Sequence, residues 1–365
     1  MYRTPTRFLI LLIMLLGLPL AGVGIFTDRR LSVYFDFPPE SGLIEHAPFS
    51  WPVFTGLAVL ILACLTPFAV RGIRFFKQER SRQKVSAEAF PSWGWAGILI
   101  CAAAWLLDWT RFEWFAGFQA YPFPFMWIGY ILTVNALCCR RTGACLMLRK
   151  PAFFLLLFPA SAVFWWFFEY LNRFVGNWYY VGVEVLGPGQ YIAYATICFS
   201  TVLPAVWSTA ELLESFSFFK KAYKKFLVLR PGNPRLIAEV LLGIGTIGLF
   251  FLGVFPNFLY PLLWVSPLLI IVCFQVIDGR RHIFSPVSHG DWNRLVCFAA
   301  AALVCGLFWE MWNFYSLARW EYSVPFVHGF QIFEMPLLGY AGYLPFGLEC
   351  AAVGGILDEL VSGGD

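Results

Sequence analysis

The chain contains the stretches FWWFFEYLN at positions 164–172 and CGLFWEMWN at positions 305–313. In both, an apolar run that includes tryptophan ends in Glu-x-x-Asn. Residues three apart share one face of a helix, so Glu169 with Asn172, and Glu310 with Asn313, each form a polar patch on an apolar helix. This repetition indicates a helical protein with two related halves.

The composition excludes an ordinary soluble chain, because 59% of the residues are hydrophobic, 19% are aromatic and only 13% are charged. Several apolar runs reach the roughly 20 residues that a helix needs to cross about 30 Å of hydrocarbon. We therefore expect an all-α, polytopic membrane bundle of about ten transmembrane helices. The predicted spans are 7–25, 51–70, 93–110, 123–139, 152–170, 190–213, 236–254, 258–277, 294–313 and 339–360.

The basic residues predict the orientation. Of the 26 lysines and arginines, 21 fall at the amino terminus or in alternate loops, and these should be cytoplasmic. Both termini are then cytoplasmic, and the charge bias favours a bacterial-type inner membrane. Span 7–25 is expected to stay as an anchor, because no small-x-small cleavage site follows it.

Matched residues recur at slowly increasing separations, which predicts an internal duplication. Pro124 and Trp127 match Pro261 and Trp264 at a separation of 137 positions, and the Glu-x-x-Asn pairs match at 141. We divide the chain into a two-helix segment (1–92, with outer loop 26–50 and basic loop 71–92), a four-helix unit (93–215), a basic linker (216–235) and a second four-helix unit (236–365). Two such units should be related by a pseudo-two-fold axis along the membrane normal. The alternative is that aromatic-rich membrane sequences resemble one another by composition.

The two polar patches are the main candidate site. Both lie near the outer ends of their spans, and we expect them to meet at the axis, where two facing carboxylates would share one proton. Glu169 and Glu310 are the catalytic candidates if the protein is an enzyme. The predicted substrate-binding residues are Asn172, Asn313, Trp166, Trp309, Trp178, Trp320, Tyr180, Tyr322 and Glu349. The alternative is an interfacial polar cap, with Arg173 paired to Glu169 on the same helix.

Glu349 is a separate case, because it falls near the middle of the last span. An ionisable group there costs about 2.5–3.5 kcal/mol on insertion scales unless it faces the bundle interior, so a functional role is the default hypothesis. The structural alternative is a hydrogen bond to a neighbouring helix.

The linker has a basic face with aromatic residues beside it. Lys220, Lys221, Lys224 and Lys225 predict an interfacial amphipathic helix that binds anionic lipid. A basic loop that only sets topology is the alternative.

The sequence predicts no metal site and no cofactor, and its net charge of +4 gives no indication of nucleic-acid binding. The expected partners are membrane lipid and an amphipathic or isoprenoid small molecule. Three function classes remain open. They are a carrier of a lipid-like molecule, a membrane enzyme that uses the paired Glu residues for acid/base chemistry on a lipid or isoprenoid, and a non-catalytic assembly subunit.

Overall fold

The computed structural model describes residues 5–39, 44–78, 88–184 and 186–362, with side chains from residue 14 onward. Helices dominate this part of the chain, as the composition predicts. The α-helices are α1 (Pro5–Phe26), α2 (Trp51–Gln78), α3 (Ser92–Trp109), α4 (Phe123–Thr142), α5 (Leu146–Arg149), α6 (Pro151–Val175), α7 (Pro188–Phe199), α8 (Val202–Glu214), α9 (Ser217–Lys221), α10 (Pro234–Phe251), α11 (Pro256–Leu259), α12 (Leu262–Ile277), α13 (Asn293–Asn313) and α14 (Tyr343–Ser362). The strands are β1 (Trp178–Val181), β2 (Arg319–Tyr322), β3 (Gln331–Ile332) and β4 (Met335–Pro336).

Each of the ten predicted spans coincides with helix. In the described residues, six helical segments are long and apolar enough to cross a membrane, namely α2, α4, α6, α7 with α8, α10 and α13. These apolar helices indicate a membrane-embedded helical bundle. The count of ten crossings and the orientation of the termini stay predictions.

The sixth predicted span is divided into α7 and α8, and a serine on α6 explains how the break is accommodated. Pro204 is the third residue of α8, and because it has no main-chain N–H it cannot donate the bond that would continue a helix from α7. The hydroxyl of Ser161 donates to the Phe199 carbonyl at 2.5 Å and accepts from the Leu203 N–H at 3.0 Å. The main-chain groups at the break are therefore hydrogen-bonded inside the bundle, as apolar surroundings require.

The two halves interlock through aromatic side chains. Trp127 of α4 packs on Trp309 of α13, with ring centroids 4.9 Å apart. In the matched contact, Trp264 of α12 packs on Phe168 of α6 at 5.5 Å. Each half thus inserts a tryptophan against the Glu-bearing helix of the other half.

The all-α prediction omitted the strands. β1 follows α6 and β2 follows α13, and the two strands pair antiparallel, with Trp178 opposite Tyr322 and Tyr180 opposite Trp320. The sequence carried a signal for them, because Trp178 and Tyr180, like Trp320 and Tyr322, are two residues apart and so lie on one face of a strand. β3 and β4 form a separate short hairpin.

The basic linker is less helical than the predicted amphipathic helix. Its helix α9 ends at Lys221, and Asn293 then accepts a hydrogen bond from the Tyr223 N–H and donates one to the Lys220 carbonyl. These bonds hold a turn where a longer helix was expected. The lysine side chains at 220, 221, 224 and 225 are exposed, and their binding of anionic lipid stays a prediction.

Close approach of α13 and α14 depends on Gly347, since a Cβ atom there would lie 2.3 Å from the Phe298 carbonyl oxygen. We predict that Gly347→Ala lowers the free energy of unfolding by about 1–3 kcal/mol, because main chain must move to accept the methyl group. Gly355→Ala on the same helix is the matched control, because nothing lies within 4 Å of its Cβ position. Thermal unfolding in detergent should show a lower midpoint for the first variant and an equal or higher one for the second.

Candidate functional site

The asparagines of the two Glu-x-x-Asn motifs hold the strands that follow their helices. Asn172 donates to the Trp178 carbonyl at 2.7 Å and accepts from the Trp178 N–H at 3.3 Å. Asn313 makes the same pair of bonds to Trp320, at 2.7 and 2.8 Å. Both asparagines are buried, so these bonds satisfy main-chain groups that water does not reach.

The carboxylate of Glu169 accepts hydrogen bonds from the aromatic side chains of the strand that Asn172 positions. Its Oε1 atom accepts from Trp178 Nε1 at 2.9 Å, from Tyr180 Oη at 2.6 Å and from Trp165 Nε1 at 3.1 Å. The side chain is 3% exposed, so it points into protein and not into lipid.

Glu310 has a similar arrangement with two differences, the first of which is that Trp320, the counterpart of Trp178, donates to Tyr322 Oη and not to the carboxylate. Its Oε1 atom accepts from Tyr322 Oη at 2.7 Å and from Tyr343 Oη at 2.6 Å. The position that matches Trp165 is Gly306, and the ring of Tyr343 occupies that space, 2.5 Å from where a Cβ of Gly306 would lie. A tyrosine from α14 therefore replaces the tryptophan donor of the first half.

The strand tyrosines are firmly protonated donors. Burial, and then the nearby charge of Glu169, raise the pKa of Tyr180 well above its ordinary value. Burial and the charge of Glu310 do the same to the pKa of Tyr322. Both phenols consequently keep their protons and their hydrogen bonds to the carboxylates at any physiological pH.

A cavity of about 110 Å³ lies between the two halves, beside the β1–β2 pair. Its wall contains five tryptophans and five tyrosines and is almost entirely apolar. The tryptophans are Trp165, Trp178, Trp264, Trp309 and Trp320. Tyr180, Tyr322 and Tyr343 also line it, so the aromatic donors to both carboxylates form part of the wall.

Five of the six predicted aromatic residues line this aromatic cavity, and Trp166 does not. Its indole donates to Thr196 Oγ1 at 2.9 Å and packs on Phe199 and Phe37. Trp165, one position earlier, lines the cavity instead, because one residue turns a helix face by about 100°.

The two carboxylates lie behind the aromatic wall, each bonded to donors of its own half. Among the described residues, no hydrogen bond joins Glu169 to Glu310. The expected sharing of a proton between them therefore lacks the direct contact it requires. They are linked indirectly, since Tyr180 lies opposite Trp320 in the strand pair and Trp320 Nε1 donates to Tyr322 at 2.9 Å.

Met335 of the β3–β4 hairpin also lines the aromatic cavity. Phe330 and Phe333, which flank β3, have φ values of 53° and 55°. Bulky residues rarely adopt this left-handed conformation, and such strain is concentrated at functional sites. The hairpin is therefore a strained segment that covers one side of the cavity.

Glu349 does not line the aromatic cavity. It lies one turn along α14 from Phe346, a fully buried ring that packs on Trp165, Trp264 and Trp309 beneath the cavity. Its Oε1 atom accepts from the Leu268 N–H at 3.1 Å, beside Pro267 in α12. This bond joins two helices, as the structural alternative for Glu349 expects. The buried Oε2 atom of Glu349 has no partner among the described residues.

A second cavity, of about 160 Å³, lies at the other end of the same four helices, α6, α8, α13 and α14. Its charged residues are Arg149, Lys150, Glu211, Glu214, Arg294 and Asp358. Arg149 pairs with Glu211, and Lys150 pairs with Asp358 at 2.7 Å. The guanidinium of Arg294 lies 5.4 Å from the ring centroid of Trp207, which forms the inner wall.

Several of these residues were missed by sequence reasoning. Tyr343 and Trp264 have matched partners in the other half, Tyr194 and Trp127, and that match was the available signal. The charged cavity had no signal, because its residues come from the ends of separate helices that sequence spacing does not relate.

No family model, curated protein or solved structure matches this chain. The interpretation of the site therefore depends on its own geometry.

We predict that Asn313→Ala lowers the free energy of unfolding by about 2–4 kcal/mol, because it removes two hydrogen bonds and leaves buried main-chain groups of Trp320 unpaired. Asn233→Ala is the control, since the Asn233 side chain accepts from the Leu236 N–H at the exposed start of α10 and makes no other hydrogen bond in the described contacts, so about 1 kcal/mol is expected there. Equal losses, measured by chemical unfolding in detergent, would contradict a special role for Asn313.

His46 generates a pH prediction, because it connects the end of α6 to the segment after β2. Its Nε2 donates to the Val175 carbonyl at 2.7 Å and its Nδ1 accepts from Ser323 at 2.6 Å. Burial chiefly lowers the pKa of His46; the Val175 hydrogen bond opposes this and the charge of His328 adds to it. The unfolded chain thus binds the proton more readily than the native one, so stability is complete above about pH 6.5 and falls as the pH decreases below it.

The midpoint of thermal unfolding should therefore decrease between pH 8 and pH 5, and His46→Gln should make that decrease smaller. His289→Gln is the control, because His289 is exposed and bonded only to Ser288 in the described contacts. A decrease that is unchanged by His46→Gln would contradict this role.

Proposed function

We propose that this chain binds a lipid-like, amphipathic small molecule in the aromatic cavity and moves it across the membrane. The observation that supports this best is the pair of cavities at opposite ends of α6, α8, α13 and α14. Phe153 lines the charged cavity and Trp165 the aromatic one, and twelve residues of α6 separate them by about 18 Å. A carrier requires such sites on both sides of a closed barrier.

The barrier between the cavities includes one turn of α14. Phe346 lies beneath the aromatic cavity, and four residues later the Cys350 carbonyl accepts a hydrogen bond from Trp207 at 2.9 Å. Trp207 lines the charged cavity. Since α14 contributes Tyr343 to one cavity and Asp358 to the other, a movement of α14 would act on both sites.

A duplicated architecture supports the same proposal. We infer that residues 93–215 and 236–365 are two copies of one four-helix unit, preceded by two helices. The β1–β2 register favours this, because the pairing is symmetric. Trp178 of β1 lies opposite Tyr322, and its counterpart in β2, Trp320, lies opposite Tyr180. The matched bonds of Asn172 and Asn313 favour it as well. Pseudo-symmetric halves that meet at a substrate site are typical of transporters that open alternately to each side.

The enzyme alternative receives less support from the geometry. A general acid or base must reach the reacting group directly or through one water. The Oε1 atoms of Glu169 and Glu310 are occupied by indole and phenol donors, and neither carboxylate lines the aromatic cavity. A carrier needs no such access.

Glu349 is the proposed coupling group of the carrier. It lies in the turn of α14 that separates the cavities, is fully buried and has one unpartnered oxygen. Proton-coupled transporters use isolated carboxylates inside the membrane for this purpose.

The carrier proposal predicts that the two cavities are open alternately. Cysteines replace Ala318 at the aromatic cavity and Ala210 at the charged one, in a background where Cys64, Cys101 and Cys198 are serine. A bulky, membrane-impermeant maleimide on residue 318 should hold the first cavity open and slow labelling of residue 210 from the opposite side of sealed vesicles. Labelling of residue 210 at an unchanged rate would contradict transport and favour an enzyme or an assembly subunit.

Glu349→Gln keeps the acceptor for Leu268 but removes the titratable group. We predict a normal amount of protein in the membrane together with the lipid profile of a deletion strain, measured by immunoblot and lipid mass spectrometry. Glu239→Gln is the control, because Glu239 is exposed and pairs only with Arg235 in the described contacts. A normal lipid profile for Glu349→Gln would exclude Glu349 from the coupling role.

A further inference from the structure

The wall of the aromatic cavity offers faces of aromatic rings and few hydrogen-bonding groups. The hydroxyl of Tyr180 donates to Glu169, and those of Tyr322 and Tyr343 donate to Glu310. The Trp178 indole also donates to Glu169. A sugar or a phosphate would lose its hydration there and find few replacement partners, the unpartnered hydroxyl of Tyr191 among them, which is costly. The cavity therefore favours a group that needs no hydrogen bonds.

The ionisable side chains around the cavity are mainly acidic. Among the described residues, no lysine, arginine or histidine lines it. Glu310 is fully buried, one hydrogen bond behind the wall. Its Oε2 atom has no partner among the described residues. The ionisable residue nearest in effect is another acid, Glu334. Glu169 has Arg173 as its charged neighbour, but that guanidinium stacks 4.5 Å from the ring centroid of Phe37 and donates to the Asp36 carbonyl. The buried acidic group behind the wall with no cationic neighbour among the described residues is thus Glu310.

We propose that the aromatic cavity binds the alkylated ammonium group of an amphipathic cation; this inference rests on the proposed function and specifies its substrate class. A quaternary ammonium has no N–H to satisfy and is attracted to the faces of tryptophan and tyrosine rings, which enclose such groups in other aromatic cages. A cation bound in the cavity favours the ionised form of Glu310, whose charge then adds a long-range attraction. A cavity of about 110 Å³ is smaller than the roughly 300 Å³ and more of pockets that enclose whole ligands, so it takes the headgroup and leaves the chain in the membrane.

The test compares choline with 3,3-dimethylbutan-1-ol, in which carbon replaces the charged nitrogen and the shape is unchanged. The purified full-length protein is titrated with each compound in phosphatidylglycerol nanodiscs, and binding is followed by saturation-transfer NMR. We expect choline to bind at least about tenfold more tightly, as a few cation–π contacts imply. Glu310→Gln should reduce that difference by weakening choline binding alone, with the part due to the aromatic rings retained, whereas Glu239→Gln should leave both affinities unchanged.

The outcomes separate this inference from the proposed function. Equal binding of both compounds to the wild-type protein would overturn the ammonium inference and keep the cavity as a site for an apolar group. Binding of neither compound, together with residue 210 labelling at an unchanged rate, would overturn both. The source of the ammonium group is identified by repeating the choline titration in phosphatidylcholine nanodiscs. A weaker choline signal there supports a lipid headgroup, and an equal signal supports a free amphiphile.

Discussion

The hydrogen bonds from two asparagine side chains to the main chain of β1 and β2 are the constraint on which the site depends. Asn172 fixes Trp178 three residues after α6 ends, and Asn313 fixes Trp320 seven residues after α13 ends. Once those residues are fixed, the tyrosines two positions later reach back to Glu169 and Glu310. The spacing Glu-x-x-Asn therefore connects a helix to the strand that follows it. The amide binds the main chain of the strand, and the carboxylate binds a tyrosine side chain two residues later.

The two Glu-x-x-Asn motifs make this connection with different donors to the carboxylate. In the first half, Trp165 occupies the space beside Glu169 and donates to it. In the second, Gly306 leaves that space open and Tyr343 enters from α14. Both carboxylates retain aromatic donors although the donors come from different helices. Glu310 is thereby bonded to α14, the helix that carries Phe346 and Glu349, whereas Glu169 is bonded only to its own helix and strand.

Much of the helical architecture could be predicted from the sequence, since long apolar runs have few alternatives to helix in a membrane. The Glu and Asn positions were also predictable, because residues three apart share a helix face. Trp166 was predicted to line the site, but Trp165 lines it instead. The difference is one of helix phase, because composition does not specify which face of α6 points to the site. The strands had only a weak signal, two aromatic residues two positions apart in each, because four residues are too few for a clear alternation. The bond from Glu349 to Leu268 could not be predicted, since it joins residues far apart in sequence and depends on how α12 packs on α14.

The strand pair has a mechanical consequence for any relative motion of the halves. Antiparallel strands resist sliding, because each shift in register breaks several main-chain bonds at once, but they tolerate twisting. The β1–β2 pair would then be the pivot of the motion, and α6 and α13 would rotate about it. A small rotation at the strands becomes a larger displacement at the far ends of those helices. There the contacts that must yield include Arg149 with Glu211 and Lys150 with Asp358, and such half-exposed ion pairs weaken as ionic strength rises.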